Sequence, residues 1–151
     1  MFTGSCACGL PPSLTSAFSG TMTPLPSTAT DHDLIAFVDR WAALLEKEAY
    51  AEAYQLTDHD PSMRWTPDLI RQVIKSYGKA SPTQRVTLAG KPTDISQRKE
   101  VTRWPENRLK GIGDVWYDLN IDGFASDLTA TFWILSTPPG LILRLNDIHV
   151  M

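Results

Sequence analysis

The sequence predicts a single α+β domain, with N-terminal helices packed on a curved antiparallel β-sheet. Two apolar stripes at helical spacing open the charged part of the chain. Three long segments that alternate apolar and polar residues follow in its C-terminal third. A chain of 151 residues fits one domain, which can fold without a metal or a disulfide.

The start of the chain has a different composition from the rest. Residues 1–30 contain no Asp, Glu, Lys or Arg and are rich in Ser, Thr, Pro and Gly, which predicts a disordered tail before a domain spanning residues 31–151. The tail lacks the basic start and continuous apolar stretch of a secretory signal peptide. We therefore expect a cytoplasmic protein in which Cys6 and Cys8 are reduced. Met22 is an alternative first residue.

Three helices are predicted. Thr30 is a natural N-cap for the first, and an apolar stripe of about four turns follows: Leu34, Phe37, Val38, Trp41, Leu44 and Leu45. Residues 50–56 predict a short second helix, which a turn before Pro61 ends. Thr66-Pro67 starts the third helix, and Gly78 ends it.

The remaining chain predicts strands. Short ones are expected at 85–89, with Val86 and Leu88 on one face, and at 98–104, where Pro105 breaks the second. Three longer strands follow, the first two joined by the Asp122-Gly123 hairpin turn. Their alternation predicts which residues face the helices: Val115, Tyr117, Leu119, Ile121, Leu128, Ala130, Phe132, Ile134, Leu141, Leu143 and Leu145. Continued alternation adds Asp147 and His149 to that face and places Ile142, Ile148 and Val150 on the opposite face.

The amphipathic opening helix, the short helix Glu48–Leu56 directly after it, and the C-terminal hairpins ending in residues 145–150 form a recognisable order. Over residues 31–151 this order resembles the nuclear-transport-factor-2-like (cystatin-like) superfamily, without a diagnostic motif. The resemblance implies a sheet curled into a cone, with a ligand pocket that Tyr54 and Phe132 would line. The superfamily contains isomerases, dehydratases and cyclases as well as binding modules and immunity proteins, so the fold alone does not select a function.

One candidate site lies on the predicted core face. Tyr117, Asp147 and His149 would place a phenol, a carboxylate and an imidazole near the mouth of the cone, a combination suited to general acid–base catalysis. Isomerases of the resembled superfamily use an Asp base and a Tyr donor, but their residues do not map individually onto this chain. The alternative is a core Tyr117 with Asp147 and His149 at an exposed sheet end.

A second candidate site lies on the opposite sheet face. Trp116 and Trp133 are large aromatic residues there, and Arg144 borders them. Because tryptophan is enriched in interface cores, we expect a non-catalytic binding module that uses this face for a protein partner or a homodimer, in an immunity-type or accessory role. The alternatives are apolar residues scattered on a solvated sheet, or a small-molecule binder or isomerase-, dehydratase- or cyclase-type enzyme that uses the cone.

Metal and cofactor sites are not expected. The tetrad Thr-Asp-His-Asp at 30–33 and 57–60 is explained by a helix cap and a turn, and Asp118–Gly123 copies half of a calcium loop but has Thr129 where the last ligand belongs. Residues 4–9 resemble the opening of glutathione-dependent formaldehyde-activating enzymes, whose further zinc-binding cysteines are missing. A net charge of −3 and the lack of a long apolar run argue against nucleic acid and membrane partners.

Overall fold

The computed structural model describes residues 23–62, 64–108 and 111–150. It confirms the α+β class: three N-terminal helices pack against a six-stranded sheet. The elements are α1 (Asp31–Glu46), α2 (Tyr50–Leu56), β1 (Asp58–His59), α3 (Pro67–Ser76), β2 (Val86–Thr87), β3 (Lys99–Arg108), β4 (Gly111–Ile121), β5 (Phe124–Thr137) and β6 (Gly140–Val150).

Part of the predicted tail packs on the domain. The backbone of Leu25 exchanges two hydrogen bonds of 2.7 Å with Leu141 at the start of β6, and Ala29 is buried. Residues 23–30 therefore belong to the packed structure. The rest of the predicted tail, including Cys6 and Cys8, lies outside the described residues.

The helices begin where their capping residues predict. Thr30 accepts a hydrogen bond from the Asp33 backbone (3.1 Å), and the Asp33 carboxylate accepts one in return (2.9 Å), which satisfies two backbone donors at the start of α1. Thr66 caps α3 in the same way, through Leu69 N at 3.0 Å. The predicted stripe of α1 is confirmed, because all its members but the partly buried Leu44 are fully or almost fully buried.

The sheet has the strand order β1-β6-β5-β4-β2, and β3 also pairs with β4. The structure differs from the predicted antiparallel, cone-shaped sheet in two ways. The sheet is mixed, because β1 pairs with β6 in parallel at Asp58↔Arg144, and it is neither closed nor strongly curled. A turn had been expected at β1, since a two-residue strand has too little sequence pattern to predict.

Two details of the short strands were predicted wrongly. β3 continues through Pro105. A proline has no N–H to donate to a neighbouring strand, but β3 pairs with β4 on one side only and can therefore accommodate it. β2 contains only Val86 and Thr87, and Leu88, which was expected to share a strand face with the buried Val86, lies beyond the strand and is exposed.

One face of the sheet forms the core with the helices. Every residue predicted for this face from Val115 to Leu145 is buried. Trp41 of α1 meets Phe132 of β5 edge-on, with ring centroids 5.0 Å apart. This contact joins the first helix to the central strands.

A β-bulge reverses the alternation near the end of β6. Phe132 pairs with Leu145, but Thr131 pairs with Asp147, so Asn146 is an extra residue opposite β5. Ile148 is consequently buried in the core, and Asp147 and His149 lie on the opposite face. The predicted faces of these residues were therefore wrong, since one inserted residue changes the direction of every later side chain.

Candidate functional site

The sheet face opposite the helices is the candidate site and is called the outer face. It carries tryptophans from three strands, Trp104 of β3, Trp116 of β4 and Trp133 of β5, with Ile142 and Arg144 of β6 beside them. All five residues are partly exposed. Within the described part of the chain, no helix is long and apolar enough to cross a membrane.

The three tryptophans are held in fixed positions. The indole N–H of Trp104 donates to Asp114 Oδ2 at 2.8 Å, and its ring meets Trp133 edge-on with centroids 5.2 Å apart. The indole N–H of Trp116 donates to Asp118 Oδ1 at 2.9 Å. These contacts mean that the exposed aromatic area is rigid before anything binds to it.

Asp118 organises one end of the outer face. Its buried carboxylate accepts hydrogen bonds from Trp116, from the Thr129 hydroxyl (2.6 Å) and from the backbone N–H of Arg98 (2.8 Å). The guanidinium of Arg98 lies 4.2 Å from the centre of the Trp116 ring, a cation–π arrangement. The Asp118 carboxylate thus fixes the positions of Trp116, of Thr129 and of the backbone just before β3.

A cavity of about 350 Å³ opens at this end of the outer face. It is lined by Ser96, Arg98, Trp116, Asp118, Asp127 and Thr129, among others. The segment before β3 forms its rim, because the Gln97 side chain donates to the carbonyl oxygens of Leu119 (2.8 Å) and Ser126 (3.0 Å). Asp127 brings a second carboxylate to the cavity and accepts a hydrogen bond from the hydroxyl of Tyr77.

The outer face is acidic. Among the side chains that the structure describes on this face, the charged groups include six carboxylates and two guanidinium groups: Asp58, Glu100, Asp114, Asp118, Asp127, Asp147, Arg98 and Arg144. Arg144 is itself paired with Asp58, with Nε to Oδ2 at 2.6 Å. A surface with this excess of negative charge attracts cationic groups.

The structure does not bring the predicted catalytic residues together. Tyr117 is on the core face and only 2% exposed, and its hydroxyl donates to Asp39 Oδ1 at 2.5 Å. Burial raises the pKa of Tyr117 far above its usual value, and the hydrogen bond to the Asp39 carboxylate adds to this shift. The ammonium of Lys99 lies 4.6 Å from the centre of the Tyr117 ring and 3.7 Å from Asp39.

Asp147 and His149 lie on the outer face, across the sheet from Tyr117. Nδ1 of His149 is 3.1 Å from Oδ2 of Asp147, within ion-pair distance but without hydrogen-bond geometry. A substrate that contacts this pair cannot reach the Tyr117 hydroxyl, because the continuous hydrogen-bonded strands of the sheet lie between them. The arrangement therefore offers no shared acid–base site for the three residues.

The predicted pocket residues are also apart. Phe132 is completely buried against Trp41, and Tyr54 stacks on His59 with ring centroids 3.7 Å apart. Burial lowers the pKa of His59. Neither Tyr54 nor Phe132 lines the cavity on the outer face.

The predicted interface residues Trp116, Trp133 and Arg144 all lie on the outer face, although their role stays a prediction. Sequence reasoning missed Trp104, which joins them only through the pairing of β3 with β4. It also missed Asp39 of α1, whose carboxylate accepts the hydrogen bond of the Tyr117 hydroxyl. Among the described residues, no group of three or more His, Cys, Asp or Glu side chains could hold a metal ion.

The fold and the outer face define an α+β domain with helices on one sheet face and rigid tryptophans on the other. The chain belongs to the family described as Domain of unknown function (DUF7668), whose model matches residues 42–151. The match runs from the second half of α1 to the end of the sheet, so it includes the whole outer face. No curated protein and no solved structure is significantly similar to the chain.

Proposed function

We propose that the protein is a non-catalytic binding module that docks a protein partner on its outer face. The supporting observation is the row formed by Trp104, Trp116 and Trp133, which are partly exposed and already fixed by contacts within the chain. Tryptophan is among the residues that contribute most to binding at protein interfaces. Side chains that are ordered before binding lose little conformational entropy when a partner covers them.

The charge of the outer face favours a basic partner over a second copy of this chain. A homodimer through this face would oppose two surfaces on which the described side chains carry more carboxylates than guanidinium groups, and like charges across an interface are costly. A partner with Lys or Arg around an apolar centre would satisfy both the charges and the tryptophans. An immunity-type or accessory protein in the cytoplasm, which acts by covering its partner's surface, fits this arrangement.

Membership of the nuclear-transport-factor-2-like superfamily is a finer part of the proposal. The helix-first order and the antiparallel meander from β3 to β6 support it. The parallel strand β1 and the open sheet are departures from the cone that the resemblance implied.

A small-molecule ligand is the second candidate, and the outer-face cavity of about 350 Å³ supports it. Two carboxylates, Asp118 and Asp127, and an aromatic wall suit a small organic ammonium ion. A thermal-shift series with aromatic amines and their neutral alcohol analogues tests this candidate. Equal shifts for amine and alcohol, or no shift with either, would exclude it.

Two variants and a control test the partner proposal. Trp133→Ala removes an aromatic anchor, and Glu100→Lys reverses an exposed charge on the same face. Phe124→Ala is the matched control, because Phe124 is a large apolar residue that is 52% exposed at the β4–β5 turn. The tagged proteins are incubated with extract of the source cells, and the retained proteins are quantified by mass spectrometry and then purified for calorimetry.

We expect one basic protein to be retained by the natural sequence and by the control, and to be lost with both outer-face variants. In calorimetry, Trp133→Ala should weaken binding by about 2 kcal/mol, or roughly thirtyfold. Retention of the same proteins by all variants would refute the proposal. A dimer in light scattering that Trp133→Ala dissociates would identify a second copy as the occupant instead.

A further inference from the structure

We propose that a second cavity, between α3 and the segment after it, is an anion-binding site for a small organic phosphate or carboxylate. The cavity has a volume of about 460 Å³, and its lining includes Arg71, Gln72, Lys75, Ser76, Ser81 and Pro82. None of these residues belongs to the outer face, so this site is independent of the proposed partner surface.

A buried lysine lies in the wall of this cavity. Lys75 is only 8% exposed, although lysine is almost never fully buried unless it is paired. Its ammonium donates to Glu48 Oε1 at 2.6 Å. Because an ammonium group has three N–H donors, the bond to Glu48 leaves it capable of donating to a second acceptor.

Positive charge exceeds negative charge around this lysine. The pKa of the Glu48 carboxyl lies below its usual range because Lys75 donates a hydrogen bond to it and desolvation opposes this only in part. The positive charges of Arg85 and Arg71 lower that pKa further. Three cations thus act on the Glu48 carboxylate, while Asp68, which accepts a hydrogen bond from Gln72 at 2.7 Å, brings a second carboxylate to the edge of the cavity.

A buried hydroxyl accompanies the lysine. Tyr50 is only 8% exposed, and within the described residues its hydroxyl has no hydrogen-bond partner of regular geometry. Burial raises the pKa of this hydroxyl, and the charge and hydrogen bonding of the nearby Lys75 ammonium act in the opposite direction. Tyr50 does not line the cavity, so it acts on the site only through its neighbour Lys75.

The chemistry of the cavity specifies the ligand class. The guanidinium of Arg71 can bind phosphate or carboxylate oxygens in pairs, and Lys75 supplies a second charge. Pro82 and the methylene chains of the two basic side chains provide apolar walls. The best ligand is therefore an anionic head group attached to a small apolar body.

Isothermal titration with phenyl phosphate, benzoate and phenol tests the site, because the three probes share a ring and differ in head group. We expect saturable binding of at least one anion and none of phenol. Arg71→Gln, at an exposed position, should weaken binding about fivefold, the effect of one partly screened charge. Glu48→Gln should tighten it by a similar factor, since it removes the carboxylate that competes for Lys75.

Arg40→Gln is the matched control, because Arg40 is an exposed arginine on α1 that does not line the cavity. The Arg40→Gln variant should bind the anions with the same affinity as the natural sequence. Binding of phosphate alone or of carboxylate alone supports the site and identifies the head group. The proposal is overturned if neither anion binds, if phenol binds equally well, or if Arg71→Gln and Arg40→Gln behave alike.

Discussion

Replacing Tyr117 by phenylalanine should make the protein less stable at neutral pH, and the loss should shrink at alkaline pH. Tyr117 is 2% exposed and donates a hydrogen bond to Asp39, whose side chain is about half exposed. A hydrogen bond to a charged group contributes about 1.5–3 kcal/mol. Exposure of Asp39 reduces this, so we expect Tyr117→Phe to cost about 1–2 kcal/mol near pH 8.

The pH dependence follows from the raised pKa of Tyr117. Below about pH 10, the phenol is neutral in the folded and the unfolded chain, so this group contributes no pH dependence. Above that pH, the unfolded chain ionises while the folded chain holds the phenol protonated, because the hydroxyl is buried and bonded to a carboxylate. The natural protein therefore loses about 1.4 kcal/mol per pH unit from this residue, and the Phe variant does not.

The measurement is urea unfolding of both proteins, followed by tryptophan fluorescence, from about pH 8 to about pH 11. The stability difference between the two proteins should decrease by about 1 kcal/mol between about pH 10 and about pH 11, because the tyrosine of the unfolded chain is already half ionised at its ordinary pKa. Other alkaline effects, including those of Tyr50 and Tyr77, whose pKa values are also raised, are shared by both proteins and cancel in the difference.

A stability difference that stays constant across this pH range would contradict a raised pKa of Tyr117 in the folded chain. Ultraviolet absorbance offers a direct check, because one tyrosine of the folded natural protein should ionise only on unfolding. Native ionisation of Tyr117 near its ordinary pKa would show that its hydroxyl is accessible to water.

One deletion and three substitutions test the fold. Deleting Asn146 should abolish cooperative thermal unfolding in circular dichroism, since it removes the bulge that directs Ile148 into the core; an unchanged melting curve would show that the bulge is dispensable. Phe132→Ala should cost about 3–5 kcal/mol in urea unfolding and Phe124→Ala less than about 0.5 kcal/mol, and similar costs for both would contradict the burial pattern. Thr30→Ala should cost about 1 kcal/mol by the same assay, and no change would mean that the cap contributes nothing.

Local chemistry explains why the helices were predictable. The N-caps Thr30 and Thr66 accept hydrogen bonds from backbone N–H groups only three residues later. A few neighbouring residues are therefore enough to predict where each helix begins. The hairpin at Asp122-Gly123 is equally local, because both residues adopt the positive φ angles that this turn requires. The alternation of β4 and β5 identified the core face of the sheet for the same reason.

The errors lie where structure depends on distant partners. Nothing in the sequence around Asn146 marks a bulge, which exists only relative to the register of β5. The parallel pairing of β1 with β6 joins segments more than 80 residues apart. The bulge places Asp147 and His149 on the sheet face opposite Tyr117, whereas Trp116, Trp133 and Arg144 precede the bulge in the chain and lie on their predicted face.

Oxidative footprinting of the tryptophans most directly tests whether the outer face is the binding surface. The protein is labelled alone and in its purified complex, and oxidation of Trp104, Trp116 and Trp133 is measured by mass spectrometry. We expect the partner to protect these side chains from oxidation and to leave the oxidation of Phe124 as it is in the free protein. Equal oxidation of the three tryptophans in the free and bound protein would contradict this expectation.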